Sequence, residues 1–173
     1  MKWNLDKIHS NVEFSVRHMG FATARGRFDS FDVAVETDEQ GTPTSVRVEV
    51  DVNSIATGAA DRDAHLRSAD FFDAESHPKV TFQSSTITPL GGRRYRVDGD
   101  LTIRGGTHPA TLETEVSEFI TDPWGNTRLG AHTSGTINRT LWGLTWNKIL
   151  EAGSLMVGEE VRFTADTEVV AAK

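Results

Sequence analysis

The residues of this sequence best suited to chemistry are its six histidines and one short run of acids and bases. Asp61-Arg62-Asp63 precedes His65, so acid and base types fall within about one helical turn, as general acid–base catalysis requires. A small hydrolase or isomerase could use His65 or His18 with Asp61 or Asp63 at the mouth of an apolar site. The plainer reading, a solvated helix face, is favoured. His9, His18, His65, His77, His108 and His132 show no HxH, HxxxH or HExxH spacing, so no pair falls on one face as a metal site needs. The absence of cysteine excludes a thiolate nucleophile, thiolate-bound metals, iron–sulfur clusters and disulfides. The glycines form neither a phosphate loop, a dinucleotide fingerprint nor a GxSxG nucleophile turn. The expectation is a protein with no catalytic residue, metal or cofactor.

The elements that must position these groups are mostly strands. Residues 54–73, SIATGAADRDAHLRSADFFD, are the only run that reads as a helix. Asp63 with Arg67, and Asp61 with His65, are spaced four apart in the acid-first order that supports a helix, and Leu66 is the one large apolar residue. Such a segment anchors weakly and is expected to cross one end of whatever the strands enclose.

Elsewhere the apolar period is two. Val12, Phe14, Val16 and His18 alternate with Glu13, Ser15 and Arg17. Phe31, Val33 and Val35 lead through a turn to Val46, Val48, Val50 and Val52, with Arg47 and Glu49 between them on the other face. Val80 and Phe82 are in phase, and Pro89-Leu90-Gly91-Gly92 turns the chain into Tyr95, Val97, Leu101 and Ile103. Gly99 shares that inward face, where a strand glycine marks a bend or a close backbone approach. Leu112 to Val116, Leu129 to Ile137 and Val161 through Phe163 to Val169 complete the pattern. About eight strands at hairpin spacing, with no helix long enough for parallel crossovers, predict an all-β, closed antiparallel barrel. The last strand is placed to pair with the first, and residues 1–173 form one domain.

Inward positions are mostly small or β-branched, with aromatics expected near strand ends, which points to a hydrophobic tunnel rather than a packed core. Phe14, Phe31, Phe82, Tyr95 and Phe163 are the rings expected to limit its length, and His18 would place one polar group on its wall. Trp142, Leu144, Trp146 and Met156, with Ile149 and Leu155, are the densest apolar group outside the strands. They form either a plug at one end or a mouth in transient contact with a bilayer. A net charge of -7 and a pI near 5.3 disfavour nucleic acid and tight docking on anionic lipid. No signal-like apolar run opens the chain, so a cytoplasmic location is expected, or a periplasmic one had a leader been removed.

Several spaced motifs resemble one family. Trp3, Asp6 and His9-Ser10 are followed by VEFSVRHM, GRFDSF, RDAHLRSADFFD, HPKVTFQSST and DGDLTIRG, then by Ile137-Asn138-Arg139, Trp142-Gly143-Leu144 and Val157-Gly158. Together they resemble the YceI-like family over nearly the whole chain. The resemblance implies a lipocalin-like barrel, commonly a homodimer, whose elongated pore binds a polyisoprenoid chain such as an isoprenoid quinone tail. It implies no established catalytic activity. Where the family often has an acidic residue and an aromatic after its Asn-Arg, this chain has Thr140, Leu141 and Trp142 after Asn138-Arg139.

Overall fold

The computed structural model describes residues 1–150 and 155–173. Among them, β1 (Lys2–Leu5), β2 (Asn11–His18), β3 (Ala22–Phe28), β4 (Phe31–Thr37), β5 (Pro43–Asp51), β6 (Ile55–Ala56), β7 (Lys79–Gly91), β8 (Arg94–Ile103), β9 (Gly106–Val116), β10 (Ile120–Thr121), β11 (Thr127–Asn138) and β12 (Val157–Ala171) form one antiparallel sheet. Four of these strands only extend another across a kink. A 3₁₀ turn at Lys7–His9 joins β1 to β2, and β3 bends at Asp29-Ser30 into β4. A second 3₁₀ turn at Val52–Ser54 joins β5 to β6, and β10 continues β9 along β11. Twelve strands less four extensions make eight walls, each hydrogen-bonded to the next in chain order. The ring closes because β12 pairs with β11 on one edge and with β1 and β2 on the other. This is the closed antiparallel barrel that the alternation predicts.

Alternation also decides which side chains face inward. Trp3, Phe82, Val97, Leu101, Ile103, Leu112, Val116, Leu129 and Val169 are buried together, while Arg47, Glu49 and Arg96 face outward. Between β4 and β5 the chain turns at Gly41, whose φ of 82° is open to glycine at little cost.

The kink between β1 and β2 is locked by an ion-pair joint. Asp6 donates its N–H to the Glu168 carbonyl on β12, and its carboxylate meets His9 at 3.0 Å and Arg128 at 2.7 Å. Ser10 Oγ donates to the Asp6 carbonyl and accepts from the Glu168 N–H. Arg128 also bonds Asp122 at 2.8 Å and Glu168 at 2.5 Å. The bonds from His9 and then Arg128 hold the Asp6 carboxyl well below its usual range, and Asp6 raises His9. Burial opposes the Asp122 charge, yet bonds from Arg128, Asn126 and the Trp124 N–H outweigh it and lower that pKa too.

The helix is shorter than the sequence suggests. α1 spans Ala60–Arg67 alone, because Val52 and Ile55 are drawn into the wall and Gly58, at φ 85°, breaks the chain before it. The acid-first pairs find other partners. Asp63 turns back to accept from the Thr57 N–H and Oγ1, and His65 meets Asp70 at 2.8 Å. Capping and turn bonds of this kind outweigh a spaced pair that contributes only about 0.2–0.5 kcal/mol. None of the α1 side chains is fully buried, which fits a weakly anchored cover.

Arg128→Met should lower the melting temperature at neutral pH by leaving three carboxylates without their shared cation. Depressed carboxyl pKa values stabilise above the unfolded aspartate value of about 3.9, and that contribution is lost as pH falls below it. The melting difference between variant and wild type should therefore narrow below about pH 4. Thermal melts across a pH series check this, and a constant difference would refute the joint's role.

Candidate functional site

The barrel's interior is not filled by its side chains. A cavity of about 580 Å³ runs through it, within the range of small-molecule pockets. Its wall includes both Val157 and Val169 on β12, twelve residues apart, which corresponds to about 30 Å along a barrel axis at ordinary strand rise and tilt. A space this long and narrow suits a chain better than a compact ring system.

Most of the expected pore residues line it. From the first three walls come Phe14, Val16, His18, Val33, Val46, Val48 and Val50; from the middle walls Phe82, Leu101, Ile103 and Leu112; and from the last third Ile137, Leu144, Trp146, Met156 and Phe163. Three do not. Phe31 is buried against Val33 and Val50, beside the bend that joins β3 to β4. Tyr95 is buried in the main core without reaching the cavity. Trp142 turns its Nε1 to the Leu101 carbonyl at 2.9 Å and its ring edge-on to His108 at 5.2 Å. It therefore belongs to the packed core, whereas Trp146 and Met156 face the bore.

Some lining residues escape the sequence pattern. Ala24 and Phe28 belong to β3, whose ATARGRF carries little apolar alternation, although the exposed Thr23, Arg25 and Arg27 alternate with them and Arg25 also reaches the cavity wall. Phe71 and Phe72 lie in the loop after α1, where no periodicity could place them. The aromatics also depart from expectation. Phe14 and Phe163 stand at mid-wall and pair across β2 and β12, yet the bore remains open past them.

While threonines such as Thr37, Thr114 and Thr133 line the cavity elsewhere, the ionisable groups on the lining gather mainly at the α1 end. His65, Phe71 and Trp146 pack edge to face there, His65 lying 5.1 Å from Phe71 and 4.7 Å from Trp146 between ring centres. Arg139, only 4% exposed, donates Nε to the Gly158 carbonyl at 2.8 Å and its Nη1 to the Leu144 and Trp146 carbonyls at 2.6 and 3.1 Å. Its Nη2 reaches the Val157 carbonyl at 3.3 Å, and the guanidinium stands 5.7 Å from the Phe71 ring centre. Burial lowers its pKa, with Glu159 opposing. Among the described residues, carbonyl dipoles rather than a carboxylate hold this charge, and they tie the 139–147 segment to the start of β12.

The catalytic alternative loses its original partners here, since His65 pairs with the exposed Asp70 instead of Asp61 or Asp63. Among the described residues, Asp6, His9 and Glu168 are the one group spaced to hold a metal. Arg128 already bonds Asp6 and Glu168, so a cation occupies that position, and none of the three lines the cavity.

Fold and site define a class: a closed up-and-down β-barrel with an elongated internal apolar cavity. A model of the YceI-like domain matches residues 3–169, and the chain belongs to that family. A UPF0312 protein of Staphylococcus epidermidis is 37% identical over 170 residues, 96% of each chain. Among solved structures, Burkholderia cenocepacia BcnA superimposes with a TM-score of 0.80 at 25% identity, covering 98% of this chain and 100% of that one. A polyisoprenoid binding domain from Saccharophagus degradans, at 18% identity, shares the fold with a TM-score of 0.71 over 98% of both chains.

Removing the Arg139 clamp should loosen the α1 end. Arg139→Gln is expected to cost about 2 kcal/mol, the scale of hydrogen bonds to a charged group, and to lower the melting temperature by about 4–8 °C. Arg139→Lys should rescue little, because an ammonium cannot reproduce the planar fork. Hydrogen exchange should rise selectively at residues 143–147 and 156–158. Unchanged exchange there would refute the clamp.

Proposed function

We propose that the protein binds the apolar tail of a polyisoprenoid lipid, such as an isoprenoid quinone or a polyprenyl compound, and carries, stores or exchanges it without changing it chemically. The carrying observation is the continuous cavity of about 580 Å³, apolar along nearly all its wall. Membership of the YceI-like family supports the reading, as does the shared fold of a domain named for polyisoprenoid binding.

The energetics favour exchange over capture. Each buried CH₂ is worth about 0.8 kcal/mol against water, so a five-carbon unit contributes about 4 kcal/mol before ordering costs. Against a bilayer most of this cancels, since the tail leaves one apolar medium for another. A carrier of this kind must meet a membrane transiently. Phe21, Leu141 and Ile149 are exposed on segments that border the α1 end, where they suit such contact.

A second reading rests on His65 and Asp70, 2.8 Å apart with His65 on the cavity wall, as an acid–base pair acting on an apolar substrate. Mass spectrometry of an organic extract from the purified protein separates the two. An intact isoprenoid supports the carrier. An empty extract, together with turnover of an apolar ester that His65→Ala abolishes, would replace it with the enzyme.

Within the carrier reading, neighbouring residues on β5 should behave as opposites. Val48 faces the bore between Val33 and Phe82, while Arg47 bonds Gln83 on the outer face. Val48→Trp should weaken quinone binding about tenfold, the effect of overpacking by 1–3 kcal/mol, and Arg47→Ala should leave it unchanged. Quenching of tryptophan fluorescence by added quinone measures both. Equal affinity for Val48→Trp and wild type would show that the tail does not pass this point.

A further inference from the structure

The bore stays open because its mid-height rings lie over glycines. Phe163 on β12 is opposite Gly135 on β11 and, on its other side, Phe14 on β2; Phe14 in turn is opposite Gly26 on β3. Gly135, Phe163, Phe14 and Gly26 thus form one row across four neighbouring strands. A methyl group at Gly135 would stand 2.9 Å from Phe163 Cε2 and closer still to Cζ, and one at Gly26 would stand 2.6 Å from Phe14 Cε1. The two rings therefore lean away from each other along the wall, each occupying the volume that a side chain on the next strand would take. Phe82 on β7 does the same over Gly99 on β8, where a methyl would lie 2.5 Å from its Cζ.

Backbone geometry does not explain these glycines. None of the three is among the glycines with positive φ, and glycine within a strand weakens it. What their missing side chains supply is room for a ring. A ring pushed off the wall must move to another staggered well, and an eight-stranded barrel is so narrow that a ring crossing it meets the opposite wall.

We infer that Gly26, Gly99 and Gly135 set the calibre of the bore, and so the length of tail it admits, by stowing Phe14, Phe82 and Phe163 against the wall. The inference rests on the lipid-binding reading. It makes the rings adjustable stops whose position is decided by the neighbouring strand rather than by their own size.

Gly135→Ala and Gly26→Ala test it, since both add a methyl to backbone without positive φ; Gly135→Ala is the cleaner, because a methyl at Gly26 would also stand 2.9 Å from Thr57 Cγ2, and Gly99 is less suitable because the Gln83 carbonyl crowds it. The probes are all-trans prenols of increasing length, competing with a polyene fatty acid that fluoresces in apolar surroundings. Long prenols should bind Gly135→Ala about tenfold more weakly than wild type, as overpacking of the bore predicts, while the shortest prenols bind both alike. Adding Phe163→Leu to Gly135→Ala should restore the long prenols, because the methyl acts only through the ring. Wild-type uptake with the same length profile in Gly135→Ala and Gly26→Ala would overturn the inference and leave the lipid reading intact, as would failure of Phe163→Leu to rescue. A wild-type protein that binds no prenol at all would overturn both.

Discussion

Closure of the backbone hydrogen-bond ladder is the constraint on which the rest of the molecule depends. An open sheet would leave two unpaired edges, whereas here β12 offers one edge to β11 over eleven residue pairs, Arg128 to Asn138 against Val170 to Glu160. Its other edge is shared between β1 and β2, which cannot lie on it as one unbroken strand because the chain kinks at Lys7–His9. The joint at Asp6, Ser10, Arg128 and Glu168 satisfies the backbone groups that this kink would otherwise leave unpaired. It also brings charged side chains from four parts of the chain to one seam.

The closed ring determines the cavity. Eight walls enclose a bore that side chains can fill or leave open, and valine, alanine, threonine and glycine leave it open. Stowing the mid-height rings over glycines widens it further than residue volumes alone would suggest. The result is a long apolar space whose ionisable lining groups sit mainly toward the α1 end, an arrangement that suits an apolar chain along the bore and a more polar group near α1.

Several residues with the types expected of catalysis instead hold the frame. His9 and Asp6 belong to the β1–β2 joint, Arg139 clamps the 139–147 segment to β12, and Asp63 ties the start of α1 to Thr57. The motifs that carry the family resemblance thus contain both joints and clamps, such as Asp6, His9 and Arg139, and stretches of the apolar lining, such as Phe14, Val16, Phe82 and Leu101. Chemistry-bearing residue types were therefore a poor guide to the cavity, and apolar alternation a good one.

Alternation by itself determined the all-β class, the number of walls, their antiparallel order and which face of each strand looks inward, because a period of two leaves each side chain only two directions. It placed Val46, Val48 and Val50 on the bore and Arg47 outside it. Only the tertiary structure decided what an inward residue meets. Phe31, Tyr95 and Trp142 are as buried as the lining yet miss the cavity, since a bend, the core near Tyr95 and a bond to the Leu101 carbonyl turn them elsewhere. The extent of α1 and the partners of Asp63 and His65 were likewise settled by competing local hydrogen bonds. Phe14 and Phe163 lie over Gly26 and Gly135, twelve and twenty-eight residues away in sequence, and cross-strand register is what brings them together.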